Sequence, residues 1–167
     1  MTTAAWHAAG MGAPLHPDLE PLAVLIGTWS GPGRGEYPTI EPFDYEETVT
    51  FSHVGKPFLA YSQRTLGGGD SRPLHSEVGF WRLPRPGLVE VVLSHPTGIA
   101  EVTEGRLEGR QLSLRSTSVS RTGTALEVLA IERHFEFDDS VLRYSLAMAA
   151  MGQPMTHHLA AELHRVD

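Results

Sequence analysis

The sequence predicts an all-β protein: a closed up-and-down barrel of ten antiparallel strands, with a short helix or 3₁₀ turn plugging one end. Three observations lead there. From Gly27 onward the chain is a succession of short runs with two-residue hydrophobic alternation, the mark of half-buried strands. Connections of mostly two to five residues join them, the length of hairpin loops and too short for a crossover helix, so consecutive strands must be antiparallel neighbours. A meander of twisted strands also leaves two open edges, which closure removes. A two-sheet sandwich is the alternative architecture.

Residues 1–17 are small, rich in Gly and Ala and without period, and are read as a mobile tail; residues 18–167 form the single domain. In HPDLEPLAVLIG, Leu19, Leu22, Ala23 and Ile26 have helix-like spacing, with Asp18 as N-cap, and the turn ends at Gly27. The first strand is GTWSG. In FDYEETVTFSH, Phe43, Tyr45, Val49 and Phe51 share one face, and Asp44, Glu46, Thr48 and Thr50 the other. FLAYSQRT returns after the turn VGKP, and LGGGDSRP is a loop tip. LHSEVGFWRL and LVEVVLSH flank PRPG, whose prolines exclude it from a central strand. IAEVTEGRLEG, RQLSLRSTSVS, LEVLAIERHFEF, VLRYSLAMAAM and MTHHLAAELHRV complete the set. Closure requires the last run to pair with the first. Eight strands already close a barrel that side chains can fill, so ten predict an interior cavity.

Composition narrows the function. The 167 residues carry 13 basic and 20 acidic side chains, a net charge of −7, which argues against a nucleic-acid partner. No cysteine is present, so disulfides and thiolate metal sites are excluded. The N-terminal residues lack a signal-peptide pattern, and no run approaches the roughly 18 apolar residues of a membrane helix. A cytoplasmic protein with no membrane partner is expected. Nothing in the runs specifies an oligomeric state.

Candidate chemistry is sparse. GTWSGPGRGEYPTI packs four glycines around Trp29, but the strand–helix context of a phosphate loop or dinucleotide fingerprint is missing. Gly27, Gly31 and Gly33 are read as relieving a tightly curved strand, with Trp29 plugging the barrel base. No serine lies in a nucleophile elbow. Glu46–Glu47 and Asp138–Asp139 are read as solvated faces and turn formers. Nine histidines stand out, among them His157, His158 and His164 in the last run and His75 and His95 near strand ends. Zinc needs three or four convergent ligands, which no spacing here demands. A haem iron needs only one proximal histidine and an apolar cavity. Adjacent residues on a strand face opposite ways, and alternation groups His157 with Met155, Leu159, Ala161 and Leu163 as the inward set. A bulge, or an outer face covered by the N-terminal tail, would reverse this. Met148, Met151 and Met155 are core filling or the soft wall of a flat ligand.

Taken together, the GxWxGxG motif of Gly27, Trp29, Gly31 and Gly33, then GEYPTI, YEETVTFSHVGKPFL, LHSEVGF, SHPTG and HHLAAELHR resemble the nitrobindin family. These are haem-binding β-barrels also described as peroxynitrite isomerases, and the resemblance spans about Leu19 to Arg165. The Gly–Trp motif alone is weak, since lipocalin-like barrels begin similarly; the barrel implied is of the lipocalin/fatty-acid-binding-protein-like kind. The resemblance implies one haem b per chain, stable as Fe(III) and held by His158, against the parity reading. It implies a pocket lined by Thr39, Leu74, His75, His95 and Met148, with His95 at a position that varies in the family and His75 on the distal side. It further implies that peroxynitrite is isomerised to nitrate at the ferric haem, and that nitric oxide binds the same iron. Two other readings compete: a non-catalytic carrier or sensor of nitric oxide or haem, and a haem-free barrel for an apolar ligand.

Overall fold

The computed structural model describes residues 12–166. Most of the predicted tail, residues 1–11, lies outside the described residues; within the remainder, Leu15 packs against the core. A 3₁₀ helix, Pro17–Leu25, opens the fold. Its cap differs from the expected Asp18. The side chain of His16 accepts the Asp18 N–H, because Pro17, with φ preset and no N–H to satisfy, starts the helix one residue earlier. Leu19, Leu22 and Leu25 recur every third residue, the 3₁₀ period, and all three are buried.

Ten strands follow: β1 Gly27–Tyr37, β2 Ile40–Ser52, β3 Leu59–Gly67, β4 Pro73–Arg85, β5 Leu88–His95, β6 Ile99–Glu108, β7 Gln111–Arg121, β8 Val128–Phe137, β9 Val141–Ala150 and β10 Thr156–Arg165. Every consecutive pair is antiparallel, and β1 pairs with β10 through Trp29↔Arg165 to Gly35↔Leu159, closing the barrel. Because the strands run up and down, the register defines two ends. The start of β1 and the end of β10 lie at one end with the 3₁₀ helix; the β1–β2 turn and the start of β10 lie at the other.

The helical end is filled. Trp29 is fully buried there and donates its indole N–H to the Leu25 carbonyl at 2.8 Å. The Arg165 guanidinium sits 4.2 Å over the Trp29 ring and donates to the carbonyls of Ile26, Val24 and Asp139. Phe51, Leu59, Trp81, Val89, Leu142 and Leu163 complete this apolar layer. The glycines of β1 serve close approach. A Cβ on Gly31 would lie 2.3 Å from the Glu162 carbonyl oxygen of β10, and one on Gly33 would lie 2.2 Å from the Tyr45 ring of β2. The strand is therefore bare where a neighbouring backbone and an aromatic ring cross it.

Candidate functional site

The open end holds a cavity of about 860 Å³, within the range of small-molecule sites. The upper wall is mainly apolar, with Leu74, Ile99, Val128, Leu146, Met148 and Leu159 contributing. These side chains come from the cavity-side ends of β4, β6, β8, β9 and β10, which the meander brings to one rim.

His158 enters this cavity through a bulge. Leu159 pairs with Leu146 while His157 pairs with Ala147, so β10 spends one residue more than β9 over this step, and His158 is the extra one. Alternation counted back from Leu163 and Ala161 therefore fails at 158. His157 is exposed, and His158 lines the cavity. One residue beyond the last β1–β10 pair, the Glu36 carbonyl lies 3.0 Å from His158 Nδ1. A carbonyl only accepts, so Nδ1 carries the proton and Nε2 keeps its lone pair. The Tyr37 ring meets the imidazole edge-on at 5.4 Å between centroids and limits its rotation. Tyr37 is itself fixed, its hydroxyl accepting the Ala150 N–H at 3.1 Å and lying within hydrogen-bonding distance of the Met148 and Ala150 carbonyls. Burial lowers the His158 pKa and outweighs the opposing Glu36 hydrogen bond, which keeps the ring neutral near pH 7.

His75 and His95 come together in the same cavity, with Nε2 of His75 3.1 Å from Nδ1 of His95. Burial lowers the His75 pKa. Leu74 and Met148 line the cavity with them. Thr39 does not: it is exposed in the β1–β2 turn at the rim, and the next residue, Ile40, lines the cavity instead. Gly27, Trp29, Gly31 and Gly33 lie outside the cavity and shape the barrel.

Below the apolar wall lies a polar layer that the sequence reading missed. Arg133 forms a two-pronged pair with Glu77, at 2.7 and 3.0 Å, and also donates to Glu101. Tyr61 donates to Glu77 at 2.7 Å, and the second nitrogen of His95 lies 3.2 Å from Glu101. Burial alone would raise the Glu77 pKa, but the charge and hydrogen bonds of Arg133 outweigh it and hold it down at about 2. Glu47 corrects the expectation of a solvated face: it is 1 % exposed and accepts the Tyr144 hydroxyl at 2.6 Å, and burial pushes its pKa up to about 7. Parity carried a signal for all of these. Glu47 alternates with Tyr45 and Val49, Glu77 with Trp81, Glu101 with Thr103, and Arg133 with Ile131 and Phe135, so each charge stands at an inward position. Asp138, in contrast, is the expected turn former, accepting the backbone N–H groups of Ser140 and Val141.

A closed barrel with an apolar-walled cavity and an imidazole nitrogen presented at its rim has the form of a small-molecule-binding barrel. Comparison with known proteins narrows that class. The family model described as a THAP4-like, heme-binding beta-barrel domain matches residues 18–165, and the chain belongs to this family. It is 54 % identical over 159 residues to peroxynitrite isomerase 2 of Mycobacterium avium, covering 93 % of this chain and 99 % of that protein. It is 52 % identical over 155 residues to the peroxynitrite isomerase of Nocardia farcinica, covering 90 % and 92 %. The crystal structure of Rv2717c from M. tuberculosis superposes with a TM-score of 0.87 at 48 % identity, covering 92 % of this chain and all of that one.

Proposed function

We propose that this chain is a haem-dependent peroxynitrite isomerase of the cytoplasm: it holds one haem b as Fe(III) through His158, converts peroxynitrite to nitrate, and takes nitric oxide at the same iron. The observation that carries the reading is His158, bulged into an apolar-walled cavity with its proton tied up at Nδ1 and a lone pair left on Nε2. That donor set fits a haem, which needs one protein nitrogen and an apolar slot. When bound, the haem supplies an iron with an open coordination position and the redox chemistry by which peroxynitrite rearranges to its isomer nitrate, a reaction that needs no co-reactant.

The chain's own part is positioning. Glu36 and Tyr37 orient the His158 ring, and the Glu36 hydrogen bond strengthens it as a ligand. Neutrality matters, because a protonated imidazole has no lone pair to offer, and burial keeps His158 neutral. Leu74 and Met148 give the cavity wall apolar surface for the ligand to pack against. His75 is the distal candidate, its Nε2 3.1 Å from Nδ1 of His95, and with its proton on Nδ1 it can donate to a bound anion. Thr39 stands at the rim, where the exposed edge of a ligand would pass.

Stopped-flow decay of peroxynitrite in the haem-loaded chain, with nitrate and nitrite quantified, tests the activity. Decay accelerated in proportion to haem-loaded protein, with a rising nitrate share, is the expected result. A nitrate yield no greater than in buffer would leave a haem or nitric oxide carrier instead.

A further inference from the structure

The cavity contains a second constellation that a rim histidine does not explain. We infer that His75, Glu77 and His95 form a binding site for one divalent transition-metal ion, separate from His158. Nε2 of His75 lies 3.1 Å from Nδ1 of His95, and Nδ1 of His95 lies 3.5 Å from Oε2 of Glu77. All three donor atoms fall within 4.8 Å of one another. Donors that share a tetrahedral ion at about 2.0–2.1 Å stand about 3.3 Å apart, so two of these edges already have the spacing an ion imposes. Two imidazoles and one carboxylate form the ligand set of an open zinc or ferrous site, with the remaining positions left for water or a small anion. Here those positions face the cavity, which all three residues line.

Two further observations point to a cation. The first is the tautomer of His95. Its Nε2 lies 3.2 Å from Oε1 of Glu101, and a carboxylate only accepts, so Nε2 carries the proton. In the neutral ring Nδ1 is then a lone pair, which faces the Glu77 carboxylate at 3.5 Å and can take a proton only from His75 Nε2 at 3.1 Å. A metal ion turns that opposition into coordination, provided that His75 carries its own proton on Nδ1. The His95–Glu101 contact is then the carboxylate–histidine–metal arrangement that orients a ligand and raises its basicity. The second observation is formal charge. Glu77 and Glu101, both buried, face one guanidinium, Arg133, and Oε2 of Glu101 has no hydrogen-bond partner among the described residues. With His95 neutral, one negative charge is left over in the layer, and a divalent ion beside it offsets that charge. Arg133 does not block the site. Oε2 of Glu77 accepts one hydrogen bond from it, at 3.0 Å, and keeps a second lone pair.

The full chain, stripped of metal by chelator, is titrated with Co²⁺ and then with Zn²⁺, both without haem and after haem loading. One equivalent of Co²⁺ is expected to give the intense visible bands of a low-coordinate site. Zn²⁺ is expected to displace it and raise the melting temperature. His75→Ala and His95→Gln should each weaken Co²⁺ binding by about 100-fold or more, and Glu101→Gln by about tenfold, as for a group acting through a ligand. His158→Ala should leave the bands unchanged, which separates this site from the haem reading. Circular dichroism of the metal-free variants verifies folding, and His75, half-buried, carries the test if His95→Gln does not fold. Absence of the bands overturns the assignment. So does their survival in both His75→Ala and His95→Gln, which would place the ion on surface histidines.

Discussion

At the scale of single residues, the polar layer beneath the cavity has a measurable pH signature through Glu47. Its folded pKa, raised by burial to about 7, stands above the ordinary value of 4.5. A carboxyl group with a raised folded pKa binds its proton more tightly in the native state. Its contribution is complete below pH 4.5 and is lost as pH rises through about 7. Glu47→Gln mimics the protonated form at every pH. It is therefore expected to match the wild type near pH 4.5 and to exceed it above pH 7 by about 1–3 kcal/mol, since each pKa unit is worth about 1.4 kcal/mol. Urea unfolding at the two pH values measures this, and an equal gap at both would remove Glu47 as the titrating group. The identity of such residues was open to inspection in the sequence. Glu47, Gln63, Glu77, Glu101 and Arg133 all stand at inward positions of their strands. What parity did not supply is who meets whom, because Arg133 reaches Glu77 across 56 residues of chain and half the barrel.

At the scale of elements, β10 and β1 show where alternation holds and where it breaks. The lower half of β10 follows period two without exception, Ala161 and Leu163 facing in and Glu162 and His164 facing out. Its upper end does not, because a bulge is a property of two strands' hydrogen bonding and leaves no mark in one strand's composition. The glycines of β1 clear space for Tyr45 and for the β10 backbone. Gly33→Ala would set a methyl group 2.2 Å from the Tyr45 ring, whose hydroxyl lies 3.0 Å from that of Tyr144. The substitution is expected to cost about 1–3 kcal/mol, as overpacking does. Denaturant midpoints at constant m-value measure it, and an unchanged midpoint would mean that Tyr45 moves aside freely.

At the scale of the whole molecule, closure makes the site. Strand count, antiparallel order, the pairing of first and last strands and the presence of a cavity were all legible in hairpin-length connections, because edge avoidance leaves few alternatives. Arg165, at the seam, is the clamp: it stacks on Trp29 and ties β10 to the plug through the carbonyls of Val24 and Ile26. Arg165→Ala is expected to lower stability by about 2–4 kcal/mol, the scale of several charge-assisted hydrogen bonds left unmade, with unfolding still a single transition. Arg165→Lys should recover only part of this, since an ammonium lacks the planar fork. Equilibrium unfolding by fluorescence of the buried tryptophans reads both, and a wild-type midpoint for Arg165→Ala would show that the seam closes without the clamp.

The central claim, that the bulge in β10 makes His158 and not His157 the haem ligand, is tested most directly by titrating haemin into His158→Ala and His157→Ala and recording the Soret band. Wild type and His157→Ala should give the same ferric haem spectrum at one equivalent, while His158→Ala gives only that of free haemin. A native Soret band in His158→Ala, or its loss in His157→Ala, would contradict the assignment.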